Sequence, residues 1–480
     1  MLAGVFFVLF RESPKRIIVY SLLFIGFVLF GSGFAVIDPF LNEWDEQYHA
    51  LVAKNMSLDF LNPKLIAHSP VNIDHKMWIY CGVWLHKQPL FLWQIACSIK
   101  VFGVNIWAVR FPSVLLHALT ALMAYSIGKR YLEKGFAILI TVLFGCSGYF
   151  NDFTSGAIGM DHNDVAFVFY VTATFWAWLN YREQDDKSKW QILIGVFSAG
   201  AILCKWLVGL VVFSGWGTVI LFENWKNIKS WVDLIKSFLI TIILVIPWQL
   251  YCYLKYPTEF LYEMNYNSKH FTHVIENHGG DSFFYWEQLK DSFGSGELVR
   301  WVLVLGFVLF CYKELKKKGE WLFAVVVFVV TYTFFTFAAT KITGYVSIVA
   351  IFGFIFLIYP FQRLFFYIKS RREIKVPNAF KFSLIVFVFF FQFSPKGVVD
   401  RHKYLVPEYR KARMNELHTA LEVLNSDPDF KGYFLLKGDK TNVLTSLLFL
   451  TEKKIIYYSP ETENVFGDKQ NYRLLDLGKE

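Results

Sequence analysis

The sequence predicts an all-α polytopic membrane protein that carries a small C-terminal α/β domain, and three observations lead there. Of its 480 residues 55% are hydrophobic and only 18% charged, with a mean hydropathy of +0.38. A water-soluble chain of this length carries more charge and patterns its apolar residues instead of running them together. Apolar runs approaching the about 20 residues that a helix needs to cross a bilayer recur from the N-terminus to about residue 393. The basic residues sit in short clusters between these runs, so the net charge of +9 reads as positive-inside topology and not as a nucleic-acid surface. The runs show no strict alternation, and a spanning segment must satisfy its own backbone, which favours helices over a β-barrel.

Taken in order, the first span is Ile17 to Ile37, preceded by Arg11, Lys15 and Arg16, which place the N-terminus in the cytoplasm. No small-residue cleavage site precedes it. Residues 38–106 then form a long, polar and aromatic outer loop, with the stretch Pro89 to Phe102 as an interfacial helix. Trp107 to Gly128 runs in to Lys129 and Arg130, Phe136 to Phe150 out, and Val165 to Leu179 back to Arg182. Trp190 to Cys204, Leu207 to Phe222 and Leu234 to Trp248 follow, leading to a second outer loop at 249–296. Leu298 to Cys311 returns to Lys313, Lys316, Lys317 and Lys318; Trp321 to Ala338 goes out, and Tyr345 to Tyr359 comes in to a basic stretch ending at Lys375. With Phe380 to Phe393 the count is about eleven spans, all basic clusters on one side. Residues 1–393 thus form the membrane domain and 394–480 an outer α/β domain, with a helix near Asn415 to Leu424 and strands at Tyr433 to Leu436 and Lys454 to Tyr458. The six cysteines make no CxxC pair and read as packing residues.

Several polar residues fall at the outer ends of the spans. Asp45 and Glu46 follow the first span, beside Trp44, Tyr48 and His49. Carboxylates at a membrane boundary serve as a general base or orient a cation, although an Asp here also suits a helix N-cap. Lys87 precedes a Pro-started helix, a position suited to a phosphate, but also to a lysine snorkelling at the interface. Asp161 and Asp164 share a face if a helix starts there, and Lys205 and Lys341 lie in tight outer connections. The convergence of these charges on one side argues for function in the set more than in any single member. The second loop, with His270, His273, Glu276 and His278, invites a metal reading but lacks an HExxH or CxxC frame.

The order Asp45-Glu46, then Lys87-Gln88-Pro89-Leu90, Phe102-Gly103 and Val109-Arg110-Phe111-Pro112-Ser113 resembles glycosyltransferases of the GT-C class. The closest group is that of the lipid A aminoarabinose transferases and the protein O-mannosyltransferases. Cys204-Lys205-Trp206 and Thr340-Lys341 to Tyr345 fit the same pattern, so the resemblance runs from about Ile17 to Tyr359. It implies transfer, with inversion, of a sugar from a polyprenyl-phosphate carrier to a lipid, protein or glycan acceptor at the outer face of the plasma membrane. Asp45 becomes the catalytic carboxylate, supported by Glu46 and by Asp164 or Asp161. Lys87 becomes the ligand of the carrier phosphate, helped by Lys205, Lys341, Tyr345 and Arg110, with Tyr48 and His49 in the acceptor loop.

The chain departs from the family at His49, where relatives often have Tyr, and at Gln88, where they commonly have Pro. It also has His86 where the lipid A enzymes can carry an acidic residue that helps to hold zinc; with His278 it would form a site for a divalent metal, zinc or magnesium. These departures leave the reaction class standing but not the aminoarabinose specificity. The competing class is a lipid or solute transporter or flippase, for which internal repeats and mid-membrane charges are expected; the sequence shows no fixed-period repeat.

Overall fold

The structure, a computed structural model, describes residues 1–10, 15–157, 160–294, 296–372, 377–392, 402, 406–438, 441–466 and 471–476. Arg11, Lys375 and the expected domain boundary at 393/394 lie outside the described residues. The chain forms α1 (Leu2–Phe10), α2 (Arg16–Ala35), α3 (Asp45–Leu58), α4 (Leu90–Phe102), α5 (Ile106–Tyr131), α6 (Lys134–Gly145), α7 (Gly148–Ser155), α8 (His162–Glu183) and α9 (Ser188–Lys205). Next come α10 (Val211–Asn224), α11 (Ile228–Lys255), α12 (Pro257–Ser268), α13 (Phe284–Phe293), α14 (Glu297–Glu314), α15 (Gly319–Phe337), α16 (Ala350–Arg372) and α17 (Asn378–Gln392). One extensive apolar core joins these helices, built on fully buried aromatics such as Phe27, Phe144, Phe167, Trp178 and Trp216.

Six helical stretches among the described residues are long and apolar enough to cross a membrane, and up to eight if each of two bent pairs counts as one span. The sequence reading divides the same region into about eleven. Part of the difference is the stretch Ser188–Asn224, which contains both α9 and α10. The chain reverses between them: the connection after α9 folds back on its end, where Ser198 Oγ donates to the carbonyl of Gly209 at 3.3 Å, a contact that eleven residues of straight helix would hold about 16 Å apart. The reversal occurs at Trp206, whose φ is 68°.

The bundle has two chemically different ends. At one, Arg182 pairs with Glu223 at 2.7 and 2.9 Å, Arg130 with Glu183, and Lys318 Nζ donates to the Phe222 carbonyl at 2.9 Å. Arg110 lies 20 residues before Arg130 in the same helix, about 30 Å away along its axis, and marks the opposite end.

At that end sits the C-terminal α/β unit: α18 (Pro407–Asn425), β1 (Tyr433–Leu436), α19 (Thr441–Leu450), β2 (Lys454–Tyr457), α20 (Pro460–Phe466) and β3 (Tyr472–Leu475). The strands form a parallel sheet in the order β2-β1-β3, Tyr433 pairing with Lys454 and Tyr472. The strands expected from the sequence are there, and β3 is added. The unit rests on α3: Lys54 Nζ donates to the carbonyls of Leu448 and Thr451 at 2.9 and 2.6 Å, a cation on the carbonyl end of α19. Ser446 Oγ donates to Gln47 Oε1 at 3.3 Å.

Shortly before it in sequence, His402 is fully buried, with Nδ1 2.8 Å from Asp38 and Nε2 3.0 Å from Asp152. Burial alone would lower the imidazole pKa; the hydrogen bonds to Asp152 and Asp38 outweigh it and raise the value to about 9. Because the folded value lies above the unfolded 6.5, the stability this contributes is complete below that pH and is lost as pH rises towards 9. Wild type should therefore exceed His402→Asn in melting temperature by a margin that shrinks between about pH 6 and pH 9. Thermal unfolding in detergent across that range checks this; a margin constant with pH would refute it.

Candidate active site

The site is organised from beneath by Arg110, which is fully buried on α5. Its Nε and Nη2 donate to the two Glu46 oxygens at 2.7 and 2.9 Å, a bidentate pair. Its remaining donors take the carbonyls of Ala35, Asp38 and Phe40 at 2.7 to 2.8 Å. One guanidinium thus gathers the end of α2, the link that follows it and the first turn of α3. Burial would raise the Glu46 pKa, but Arg110, and then His162, bring it down to about 2. Glu46 Oε2 also accepts from the Asn42 amide at 2.6 Å, and Gly156, with φ 65°, leaves room for its side chain, since a Cβ there would lie 3.1 Å from it.

Asp45, the neighbour of Glu46, faces a cavity of about 760 Å³. Trp44, Asp45, His86 and Lys87, from the chain between α2 and α4, form one wall; Asn163 and Asp164 at the start of α8 and Lys205 and Trp206 at the α9 reversal form another. The segment from α12 to Gly279, together with Thr340, Lys341 and Tyr345, closes the rest. Lys205 is bonded to Asp164 and lies 4.8 Å from the centre of the Tyr345 ring. Among the described residues nothing takes a hydrogen bond from the Lys87 ammonium or gives one to the Asp45 carboxylate. Burial would lower the Lys87 pKa, but Asp45, Glu276, Asp164 and Asp161 around it raise the value instead, so the ammonium stays charged.

The structure therefore divides the expected site residues. Asp45, Lys87, Asp164, Lys205, Lys341, Tyr345, His86 and His278 line one cavity. Glu46 and Arg110 do not: they neutralise each other below it, so neither is placed to touch a ligand. Tyr48 and His49 lie one helical turn deeper than Asp45 and are roofed by Trp78 and Trp84, at ring distances of 5.1 and 5.5 Å. Asp161 caps α8 and pairs with His49 at 2.6 Å, tying α8 to α3, while Asp164 alone of the two acids reaches the cavity. Lys341 lines the cavity, but its ammonium is committed to the carbonyls of Thr336 and Ala338 at 2.7 and 2.9 Å.

The metal expectation at His86 and His278 finds no donor set. Among the described residues no group of three or more His, Cys, Asp or Glu is arranged to hold a metal ion. His86 stacks on Trp78, 4.6 Å apart and 4° from parallel, and its Nδ1 lies 3.2 Å from Glu263 of α12. Burial and Lys87 hold the His86 pKa well below its usual value, and burial lifts Glu263 to about 7, so below that pH the pair meets as neutral groups. Glu263 was not selected by the sequence reading, and Glu276 was named there only as part of the His-rich second loop. Glu276 accepts from Trp78 Nε1 at 2.7 Å and Tyr266 Oη at 2.9 Å; no sequence motif signals Glu263.

A helical bundle with this cavity at one end and a small α/β unit beside it has the architecture of the GT-C glycosyltransferases. The family described as dolichyl-phosphate-mannose-protein mannosyltransferase matches residues 86–251. The undecaprenyl phosphate-alpha-4-amino-4-deoxy-L-arabinose arabinosyl transferase of Pseudomonas aeruginosa (strain LESB58) is 24% identical over 245 residues, 48% of this chain. The alignment spans 40% of that relative's length. The structure of ArnT from Cupriavidus metallidurans bound to undecaprenyl phosphate superposes with a TM-score of 0.63 at 13% identity, covering 95% of this chain and 90% of that one. The archaeal oligosaccharyltransferase AglB from Archaeoglobus fulgidus, in complex with an inhibitory peptide and a dolichol-phosphate, gives 0.57 at 10% identity, covering 92% and 64%. The chain thus has the GT-C fold, and the resemblance to aminoarabinose transferases and protein O-mannosyltransferases stands.

Arg110→Leu would leave Glu46 buried without its partner and should lower stability by about 3–5 kcal/mol. The double variant with Glu46→Leu should recover part of that loss. Thermal unfolding of both variants in detergent checks the pair; a single variant as stable as wild type would show the ion pair to be idle.

Proposed function

We propose that this protein is a membrane glycosyltransferase that moves a sugar from a polyprenyl-phosphate carrier to an acceptor hydroxyl, with inversion, at the outer face of the plasma membrane. The observation that carries the reading is the pairing, in one cavity, of a carboxylate and an ammonium that no group among the described residues hydrogen-bonds: Asp45 and Lys87. Every other charge nearby is spoken for, Glu46 by Arg110, Asp164 by Lys205 and Lys341 by two carbonyls.

The chemistry then follows from the charges. Asp45 accepts the proton of the acceptor hydroxyl as its oxygen forms the new bond to the anomeric carbon. The bond from that carbon to the phosphate oxygen breaks, and Lys87 stabilises the anionic carrier phosphate as it leaves. Lys205, held by Asp164 and set over Tyr345, supplies a second positive charge at the same cavity. The basic clusters at the far end of the bundle support an inward orientation for that end and an outward one for the cavity. The acceptor is a lipid, protein or glycan.

Asp45→Asn should slow transfer by about 100-fold or more, as loss of a general base does, with carrier binding retained. Lys87→Met should reduce both carrier affinity and rate, the rate by about 100-fold. Purified protein assayed with labelled polyprenyl-phosphate sugars and a membrane extract as acceptor source reads both. Wild type that consumes no donor but moves lipid between the leaflets of vesicles would replace this reading with that of a flippase.

A further inference from the structure

Five non-glycine residues among those described hold a left-handed backbone: Trp44 (φ 83°), Trp206 (68°), Glu276 (53°), Asn277 (61°) and Lys318 (54°). The first four line the cavity. Such a conformation is a genuine outlier for a bulky side chain and costs on the order of 1–3 kcal/mol. At Trp44 it is enforced from both sides. Asn42 donates its amide to Glu46, and Arg110 clamps Glu46 and the Phe40 carbonyl, so the intervening residues are forced into a tight bend.

Packing does not explain what that strain achieves. Trp44 is 43% exposed, whereas Trp84 and Trp178 are buried to 1% and 0%. Its one ring contact among the described residues is with Trp78, at 5.4 Å and 88°. Trp78 is itself rigid, stacked on His86 and bonded to Glu276. The arrangement braces Trp44 against a fixed neighbour and leaves ring surface to the cavity, one residue from Asp45 and on the same wall as Lys87.

We propose that Trp44 is the platform on which the donor's sugar ring stacks. The inference rests on the transferase reading: in a polyprenyl-phosphate sugar the ring is joined to the phosphate through a single oxygen, so a phosphate at Lys87 places the ring within one ring width of it. A pyranose that presents an unbroken face of C–H bonds offers weakly positive hydrogens to the negative face of an indole, while its hydroxyls project edgewise towards Asp45 and Glu276. Trp44 therefore selects the glycosylated carrier over the bare one, and pyranoses with an open C–H face over those whose axial hydroxyls interrupt it.

The test is a comparison of two affinities in one protein. Undecaprenyl phosphate and its glucosyl, mannosyl and 4-amino-4-deoxyarabinosyl derivatives are titrated into wild type, Trp44→Phe and Trp44→Leu in detergent. Wild type should bind at least one derivative more tightly than the bare carrier. Trp44→Leu should weaken that derivative by about tenfold, a stacking contribution of the usual size, and change bare undecaprenyl phosphate less than twofold; Trp44→Phe should recover most of the loss. Equal weakening of both ligands, or of neither, would make Trp44 a structural or interfacial tryptophan and overturn the proposal. Failure of the transferase reading looks different: wild type would pass no labelled sugar from any derivative to a membrane extract, whichever of these lipids it binds.

Discussion

Asp45 can face the cavity because the residue after it cannot. Glu46 is drawn down into a bidentate pair with Arg110, and the same guanidinium takes three carbonyls from the end of α2 and the link beyond it. Successive residues at a helix start point about 100° apart, so fixing Glu46 inward turns Asp45 outward. A buried ion pair gains little net stability over an apolar pair of the same volume. Its use here is directional: it sets the rotation of α3, and so the position of the only acid in that loop that meets the cavity. The strain at Trp44 has the same origin.

Around that anchor the other elements are tied to α3 one by one. Asp161 reaches it through His49, Ser446 through Gln47, and Lys54 holds the end of α19. The C-terminal unit is thus less an appendage than a brace along the helix that presents Asp45. The long loop after α11 is joined to the one between α3 and α4 by Glu263 on His86 and Glu276 on Trp78, so two walls of the cavity are linked by polar pairs. Electrostatically the result is a cavity in which, among the described residues, Glu46, Asp164 and Lys341 are engaged in place while Asp45 and Lys87 are left for a ligand.

Much of this was legible in the chain. Apolar run length and basic clustering establish a helical membrane protein, because the bilayer imposes both independently of how helices pack. The short apolar runs Tyr433 to Leu436 and Lys454 to Tyr458 give strands, and the order of the motifs around Asp45, Lys87, Arg110 and Lys205 carries the resemblance to the GT-C enzymes. Less legible was the division of labour among neighbours. Asp45 is preferred to Glu46 by resemblance and Asp164 to Asp161 by its place before an apolar span; the physical separation comes from the partner each one meets on a distant helix.

The sequence by itself determined the class, the topology signals and the set of polar residues near one end of the bundle, since these follow from local composition and the demands of the membrane. Tertiary structure alone decided which charges are engaged and which are left for a ligand. Arg110 lies 64 residues from Glu46, Lys205 lies 41 from Asp164, and His402 lies 364 from Asp38. Contacts at such separations depend on how helices cross and turn, which a linear pattern of hydrophobicity does not encode. The strained backbone at Trp44 belongs to the same category: no residue type announces it, and it exists because the groups on either side are held more firmly than the bend between them.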